Sequence, residues 1–167
     1  MPFQRFNVGS AKAFRKKKGR AFVALLGYLY AWGNAGNGAL GTGNTINRSS
    51  PVQVGALTNW TVIKSHYGYG AGPTIAIKTD GSLWTWGSNA YGQLGLGDTT
   101  NRSSPVQVGA LTNWYTCTIS NRSSLAVKTD GTLWSWGQNY FGNLGLGNST
   151  YYSSPKQVGA LTDWINI

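Results

Sequence analysis

Ser65, His66 and Asp80 are the side chains of the right types for a nucleophile, a base and its orienting acid. Neighbours on an extended strand point to opposite faces, so Ser65 and His66 cannot share the hydrogen bond that such chemistry needs. The remaining inventory is thin. The 167 residues hold one His, one Cys (Cys117) and four acids, Asp80, Asp98, Asp130 and Asp163, with no Glu at all. Acid/base catalysis calls for converging carboxylates, and a metal site calls for several His, Cys, Asp or Glu side chains together. The reading therefore assigns no catalytic residue, no metal and no cofactor, and expects no enzyme. A single Cys117 also excludes an intrachain disulfide.

Charge offers a stronger signal. The chain carries 14 Lys and Arg and a formal net charge of +10, and half of those bases, Arg5, Lys12, Arg15, Lys16, Lys17, Lys18 and Arg20, fall in the first 20 residues with no acid among them. Lys12, Arg15, Lys16, Lys17, Lys18 and Arg20 are the candidate partner-binding residues. They suit the phosphates of a nucleic acid or an acidic protein surface such as a capsid or scaffold protein. Phe3, Phe6 and Phe14 interleave with them, but no nucleic-acid recognition motif accompanies them. Lys16 to Arg20 followed by the apolar run Ala21 to Trp32 has the outline of a secretory signal. That run falls short of the ~20 apolar residues needed to span a bilayer, and it also aligns with internal repeats. No signal peptide, transmembrane segment or membrane partner is expected.

The elements that must carry these residues are set by repetition. Trp32 to Trp60, Trp86 to Trp114 and Trp136 to Trp164 align end to end without a gap, with starts 54 and 50 residues apart. Each block ends in Val-Gly-Ala-Leu-Thr and a Trp two residues later. Between blocks, Thr74 to Lys78 and Ser82 to Trp86 are β-branched and aromatic and flank Thr79-Asp80-Gly81. Leu125 to Lys128 and Thr132 to Trp136 repeat this around Asp130-Gly131. An Asp-Gly pair tolerates positive φ and predicts tight hairpins. Gly27 falls in register with Gly81 and Gly131, with Leu26 in place of the Asp. Further strands are expected at Thr61 to Ser65 and Tyr115 to Ile119. Short ones beginning at Pro51, Pro105 and Pro155 are expected on outer edges, because proline cannot donate to a ladder. Four strands in about 50 residues describe a propeller blade, so the fold class is all-β with three four-stranded, propeller-like units.

The glycine-rich blocks Gly38 to Gly43, Gly92 to Gly97 and Gly142 to Gly147 could be mistaken for a nucleotide fingerprint, yet no helix follows them. Turn glycines are the better reading. Regularly placed tryptophans at strand ends are likewise read as packing residues rather than stacking platforms for a sugar or base.

Together with the Leu-aromatic-x-Trp-Gly strands and the Asp-Gly hairpins, these glycine blocks resemble the regulator of chromosome condensation repeat over about residues 21 to 164. The resemblance implies a β-propeller, usually of seven blades. Members include chromatin-bound nucleotide-exchange factors, ubiquitin-ligase modules and bacterial or phage surface proteins. The usual Gly-x-x-His before the second strand is absent, with Gly70 to Pro73 and Asn121 to Ser124 in its place. Three repeats also make less than a full ring, so exchange-factor activity is not carried over.

The expected organisation is a basic arm at 1–19, repeats at about 20–59, 60–113 and 114–163, and a trailing strand at 164–167. Residues 11 to 15 are expected as the first strand of the first blade. The Tyr67 to Pro73 insertion is either a recognition loop or neutral drift. Trp164, Ile165 and Ile167 match the start of another blade and are expected as an oligomer contact with other subunits of the same chain. The functional expectation is a structural or interaction protein, a virion or particle-surface component, with a basic regulatory binder of nucleic acid or chromatin-like partners as the alternative.

Overall fold

A computed structural model describes residues 20–25, 27–66 and 71–167, with backbone pairing alone for 20–25. These residues form three antiparallel sheets in sequence order. Blade I contains β1 (Arg20–Leu25), β2 (Tyr28–Gly33) and β3 (Arg48–Gln53). Blade II contains β4 (Trp60–Ser65), β5 (Thr74–Lys78), β6 (Leu83–Gly87) and β7 (Arg102–Gln107). Blade III contains β8 (Trp114–Ile119), β9 (Ser123–Lys128), β10 (Leu133–Gly137) and β11 (Tyr152–Gln157). Each strand pairs with the next in an up-and-down meander. Residues 11 to 15, expected as a first strand, lie outside the described residues. The helical content among the described residues is one short 3₁₀ turn at Gly36–Gly38.

The hairpins form where the Asp-Gly pairs predict them. Asp80 Oδ1 accepts from Ser82 N at 2.9 Å and Ser82 Oγ at 2.6 Å, and Asp130 holds Thr132 in the same way at 3.0 and 2.7 Å. Gly81 turns the chain at φ +77°, and a Cβ there would lie 2.1 Å from the Thr112 carbonyl oxygen. Only glycine fits both conditions. Blade I departs from the gap-free register. Ile77 pairs with Leu83 and Val127 with Leu133, but Ala24 pairs with Leu29, one residue off the sequence alignment that put Val23 there. With Leu26 where the Asp would be, the side-chain cap is missing and β1 and β2 close through a two-residue loop, Leu25 pairing with Tyr28.

The edge strands differ from expectation at their bounds. β3, β7 and β11 begin three residues before Pro51, Pro105 and Pro155, so each proline lies inside its strand rather than at its start. All three lie where the register shifts, as between Thr85↔Val106 and Gly87↔Arg102. A bulge on an outer strand leaves no ladder bond for proline to break.

Two apolar layers join the sheets. Leu29, Ala31, Leu40 and Val54 of blade I meet Trp60, Ile63, Ala76 and Trp86 of blade II. Ile75, Ile77, Leu83 and Val108 on the other side of blade II meet Trp114, Cys117, Ala126 and Trp136 of blade III. Burial on both faces makes β5 hydrophobic throughout, and every residue from Thr74 to Lys78 is buried. Burial also pushes the Cys117 thiol up to about 12.

Candidate functional site

Blades II and III share the expected Asp-Gly turn, Lys-Thr-Asp-Gly-Ser/Thr-Leu-Trp at Lys78 to Trp84 and Lys128 to Trp134, and on it a lysine–tryptophan contact that the sequence reading passed over. The Lys78 ammonium lies 3.3 Å from the centroid of a Trp84 ring and 5.0 Å from that of Trp60; Lys128 stands 3.8 and 5.1 Å from Trp134 and Trp114. Such contacts contribute about 0.5–2 kcal/mol each, more as they are desolvated. Both lysines are buried, and desolvation lowers each pKa below its ordinary value, opposed by the nearby Asp80 or Asp130. The indoles are fixed in turn. Trp84 Nε1 donates to Ser82 Oγ at 2.8 Å and Trp134 Nε1 to Thr132 Oγ1 at 2.9 Å. The Ser82 and Thr132 hydrogen bonds hold the Asp80 and Asp130 carboxyls below their usual range. This arrangement is a latch on the hairpin. A lysine two before Asp-Gly and a tryptophan two after Ser/Thr, in both repeats, was the signal available in the sequence.

The second repeated geometry is the seam between blades. A Cβ on Gly41 would lie 2.7 Å from Trp86 Nε1, and one on Gly95 would lie 2.7 Å from Trp136 Nε1. Each glycine is a cradle for the tryptophan of the following blade. Gly38 approaches the Ser103 backbone and Gly92 the Ser153 backbone with no room for a Cβ, the closest atoms being 2.4 and 2.6 Å away. Gly43 N donates to Ser103 O and Gly97 N to Ser153 O, both at 2.8 Å. Trp136 Nε1 donates to the Gln93 carbonyl at 3.0 Å, and Ser124 Oγ donates to the same oxygen at 2.7 Å.

Blade III carries the same glycines with little against them. A Cβ on Gly142 would find one atom within 4 Å, Asn148 O at 3.9 Å; on Gly145 it would find Val158 Cγ1 at 3.3 Å, and on Gly147 nothing. Phe141 is 89% exposed at the position where Tyr91 packs edge-on against Tyr151 and under the Arg122 guanidinium.

The predicted site residues divide between described and undescribed parts. Lys12, Arg15, Lys16, Lys17 and Lys18 lie outside the described residues, and Arg20 is placed only as the first residue of β1, paired with Gly33. Trp164 N donates to Gly131 O at 3.2 Å, as Trp114 N donates to Gly81 O at 3.1 Å, so Trp164 stands where a fourth blade would begin. Ile165 and Ile167, 82% and 36% exposed, take part in no ladder among the described residues. Ser65 ends β4, and His66 N donates to Pro73 O at 3.1 Å just beyond it. Of the insertion, Tyr67 to Gly70 fall outside the described residues, while Ala71 to Pro73 are buried, with Asn37 Nδ2 donating to Ala71 O at 3.3 Å. Among the described residues, no three His, Cys, Asp or Glu side chains gather as metal ligands would, and no helix is long and apolar enough to cross a membrane.

The blade geometry agrees with the comparisons. Prp20p of Saccharomyces cerevisiae, whose structure was described with its binding to Gsp1p and histones, superposes with a TM-score of 0.75 at 17% identity, covering 90% of this chain and 38% of that one. The chain is 33% identical over 91 residues to the human E3 ubiquitin-protein ligase HERC2, covering 54% of this chain and 2% of that protein. It is 37% identical over 86 residues to the ultraviolet-B receptor UVR8 of Arabidopsis thaliana, covering 52% of this chain and 19% of the receptor. The chain thus spans under a fifth of these two relatives. The model for the regulator of chromosome condensation (RCC1) repeat matches residues 27–71, 80–127 and 130–167. Three matched repeats on three stacked antiparallel sheets place this chain in the RCC1 repeat family.

Proposed function

We propose that the chain is a non-enzymatic interaction module of the regulatory kind, in which the basic N-terminal segment engages an acidic, chromatin-type partner. The observation that carries this is the segregation of charge. Cations of the blades are largely engaged by side chains of the blades themselves: buried Lys78 and Lys128 lie on tryptophans, and at the surface Arg122 lies on Tyr91, Lys156 on Tyr152, and Arg102 pairs with Asp98. Half of the positive charge is left to the first 20 residues, with Lys12, Arg15, Lys16, Lys17, Lys18 and Arg20 as the binding set. Prp20p, described with histones, and the receptor UVR8 support regulatory binding over a virion or capsid-decoration role, for which neither the blades nor these relatives offer support.

The test is fluorescence anisotropy with labelled duplex DNA and with nucleosomes. Phosphate neutralisation makes log affinity fall with log salt by about 0.9 per contact, so binding should weaken by orders of magnitude between about 50 and 200 mM salt. Replacing Arg15, Lys16, Lys17 and Lys18 with Ser should flatten that slope by about 3 to 4. Absence of binding to both probes at the lower salt, or an unchanged slope in the variant, would overturn the reading.

A further inference from the structure

We propose that Arg48, at the seam between blades I and II, is a carboxylate-binding site that takes an acidic side chain of a partner polypeptide. The inference stands apart from the basic-segment reading and rests on one pair of positions compared across the three repeats. In blade II the pair is Asp98 and Arg102. Asp98 Oδ1 accepts from Thr100 N at 2.8 Å, and Asp98 Oδ2 accepts from Arg102 Nη2. In blade III it is Asn148 and Tyr152, where Asn148 Oδ1 accepts from Thr150 N at 2.9 Å and the amide nitrogen donates to Tyr152 Oη at 3.3 Å. Each donor there meets an acceptor. Blade I combines Asn44 with Arg48, and the match fails. Asn44 Oδ1 accepts from Ile46 N at 3.0 Å, so its amide nitrogen, itself a donor, stands on the side from which Asp98 Oδ2 serves Arg102. Arg48 Nη2 reaches back to the same Asn44 Oδ1 at 3.5 Å, the outer limit of such a bond.

The Arg48 guanidinium is therefore short of an acceptor. Arg48 Nε is buried and has no hydrogen-bond partner among the described residues, and the same holds for Thr42 Oγ1. The repeat puts these two groups at one groove. Between blades II and III, Leu96, Arg102, Trp114, Trp134 and Ser154 line a groove of about 460 Å³. Their counterparts one repeat earlier are Thr42, Arg48, Trp60, Trp84 and Ser104. Apolar Leu96 thus gives way to the hydroxyl of Thr42 at the same seam where the carboxylate is lost. Thr42, Arg48 and Ser104 offer donors to one anion, and the two indoles give the groove an apolar wall. Asp98 shows which anion fits, since it is a carboxylate that Arg102 holds, and charge-assisted bonds of this kind are the strong ones. The chain has no further carboxylate to bring. Asp80, Asp98 and Asp130 are bound within their own turns, and Asp163 lies beside Trp164 at the end of blade III. An Asp or Glu of another polypeptide supplies the acceptor, and its apolar neighbours lie along Trp60 and Trp84.

The Arg48 Nε–H resonance of the isotope-labelled full chain reads this site apart from anything the basic segment binds. Titration with the peptide acetyl-Leu-Asp-Leu-amide should shift that resonance saturably at millimolar concentration, while acetyl-Leu-Asn-Leu-amide should leave it in place. Asn44→Asp gives blade I the pair with which blade II already folds. It should weaken the Asp peptide at least about tenfold, as the loss of one charge-assisted contact implies, with no fall in thermal midpoint. A resonance unmoved by the Asp peptide, an equal response to the Asn peptide, or undiminished binding to Asn44→Asp would overturn the proposal. Acetate or inorganic phosphate shifting the resonance at concentrations as low as the peptide would overturn it too, by making the site one for small anions. Because this readout does not involve the basic segment, failure here leaves the DNA and nucleosome measurement untouched.

Discussion

Gly95 and Gly145 are the same residue in two repeats, and the difference between them measures what a seam contributes. Both have φ near +70°, at +74° and +70°, so an alanine at either costs about 1–2 kcal/mol in backbone strain. At Gly95 the added methyl also meets the Trp136 indole at 2.7 Å, and overpacking adds about 1–3 kcal/mol. Gly95→Ala should therefore lower the urea midpoint clearly more than Gly145→Ala. Equal losses would mean that the cradle is not a close contact. From sequence alone these glycines were recognisable as turn residues, since they recur before polar turns without a helix. The second task of Gly95 was not legible, because the tryptophan that it seats, Trp136, lies about 40 residues away along the chain.

At the scale of the element, turn chemistry carried most of what the sequence could tell. Asp-Gly positions located the hairpins at Gly81 and Gly131, and the alternating Leu-Trp-x-Trp runs located β6 and β10. The bounds of β3, β7 and β11 escaped because Arg-Ser-Ser, or Tyr-Ser-Ser in β11, reads as loop and bonds to the sheet only where a bulge lets it. The β1 register escaped because Leu26 gives no hint that the loop has shortened. Within blade III the tryptophan, not the cation, should dominate the latch. Trp114→Ala removes a buried indole shared by Lys128, Trp134 and Trp136 and should cost about 3–5 kcal/mol. Lys128→Met keeps the apolar stem against the rings and relieves a desolvated charge, so its cost should stay within about 1 kcal/mol. Denaturant titration of the two variants separates the cases; a larger loss for the lysine change would show the cation to be the main support.

For the whole molecule, a chain with four carboxylates has few groups through which acid can unfold it. The hydrogen bonds from Ser82, Thr100 and Thr132 hold Asp80, Asp98 and Asp130 below the ordinary 3.8, so their stabilisation is present above that value and is lost as pH falls through the lowered folded pKa values. Stability should be level from neutral pH down to about 4 and decline below it. The triple variant Asp80→Asn, Asp98→Asn, Asp130→Asn should be less stable at pH 7 and show a flatter acid limb in thermal scans across pH. A wild-type limb as flat as the variant's would show these three groups to be uninvolved. The stacking of blades has one more consequence, for how the chain reaches its fold. Because Pro-Val-Gln-Val-Gly-Ala-Leu-Thr-Asn-Trp occurs identically at 51–60 and 105–114, a nascent β6 can close on the strand of the wrong repeat with an almost native ladder. Only the flanking differences, such as Ile46 against Thr100, tell one pairing from the other. Refolding is then an error-correcting search among near-equivalent registers, slowed in proportion to how alike the blades have become.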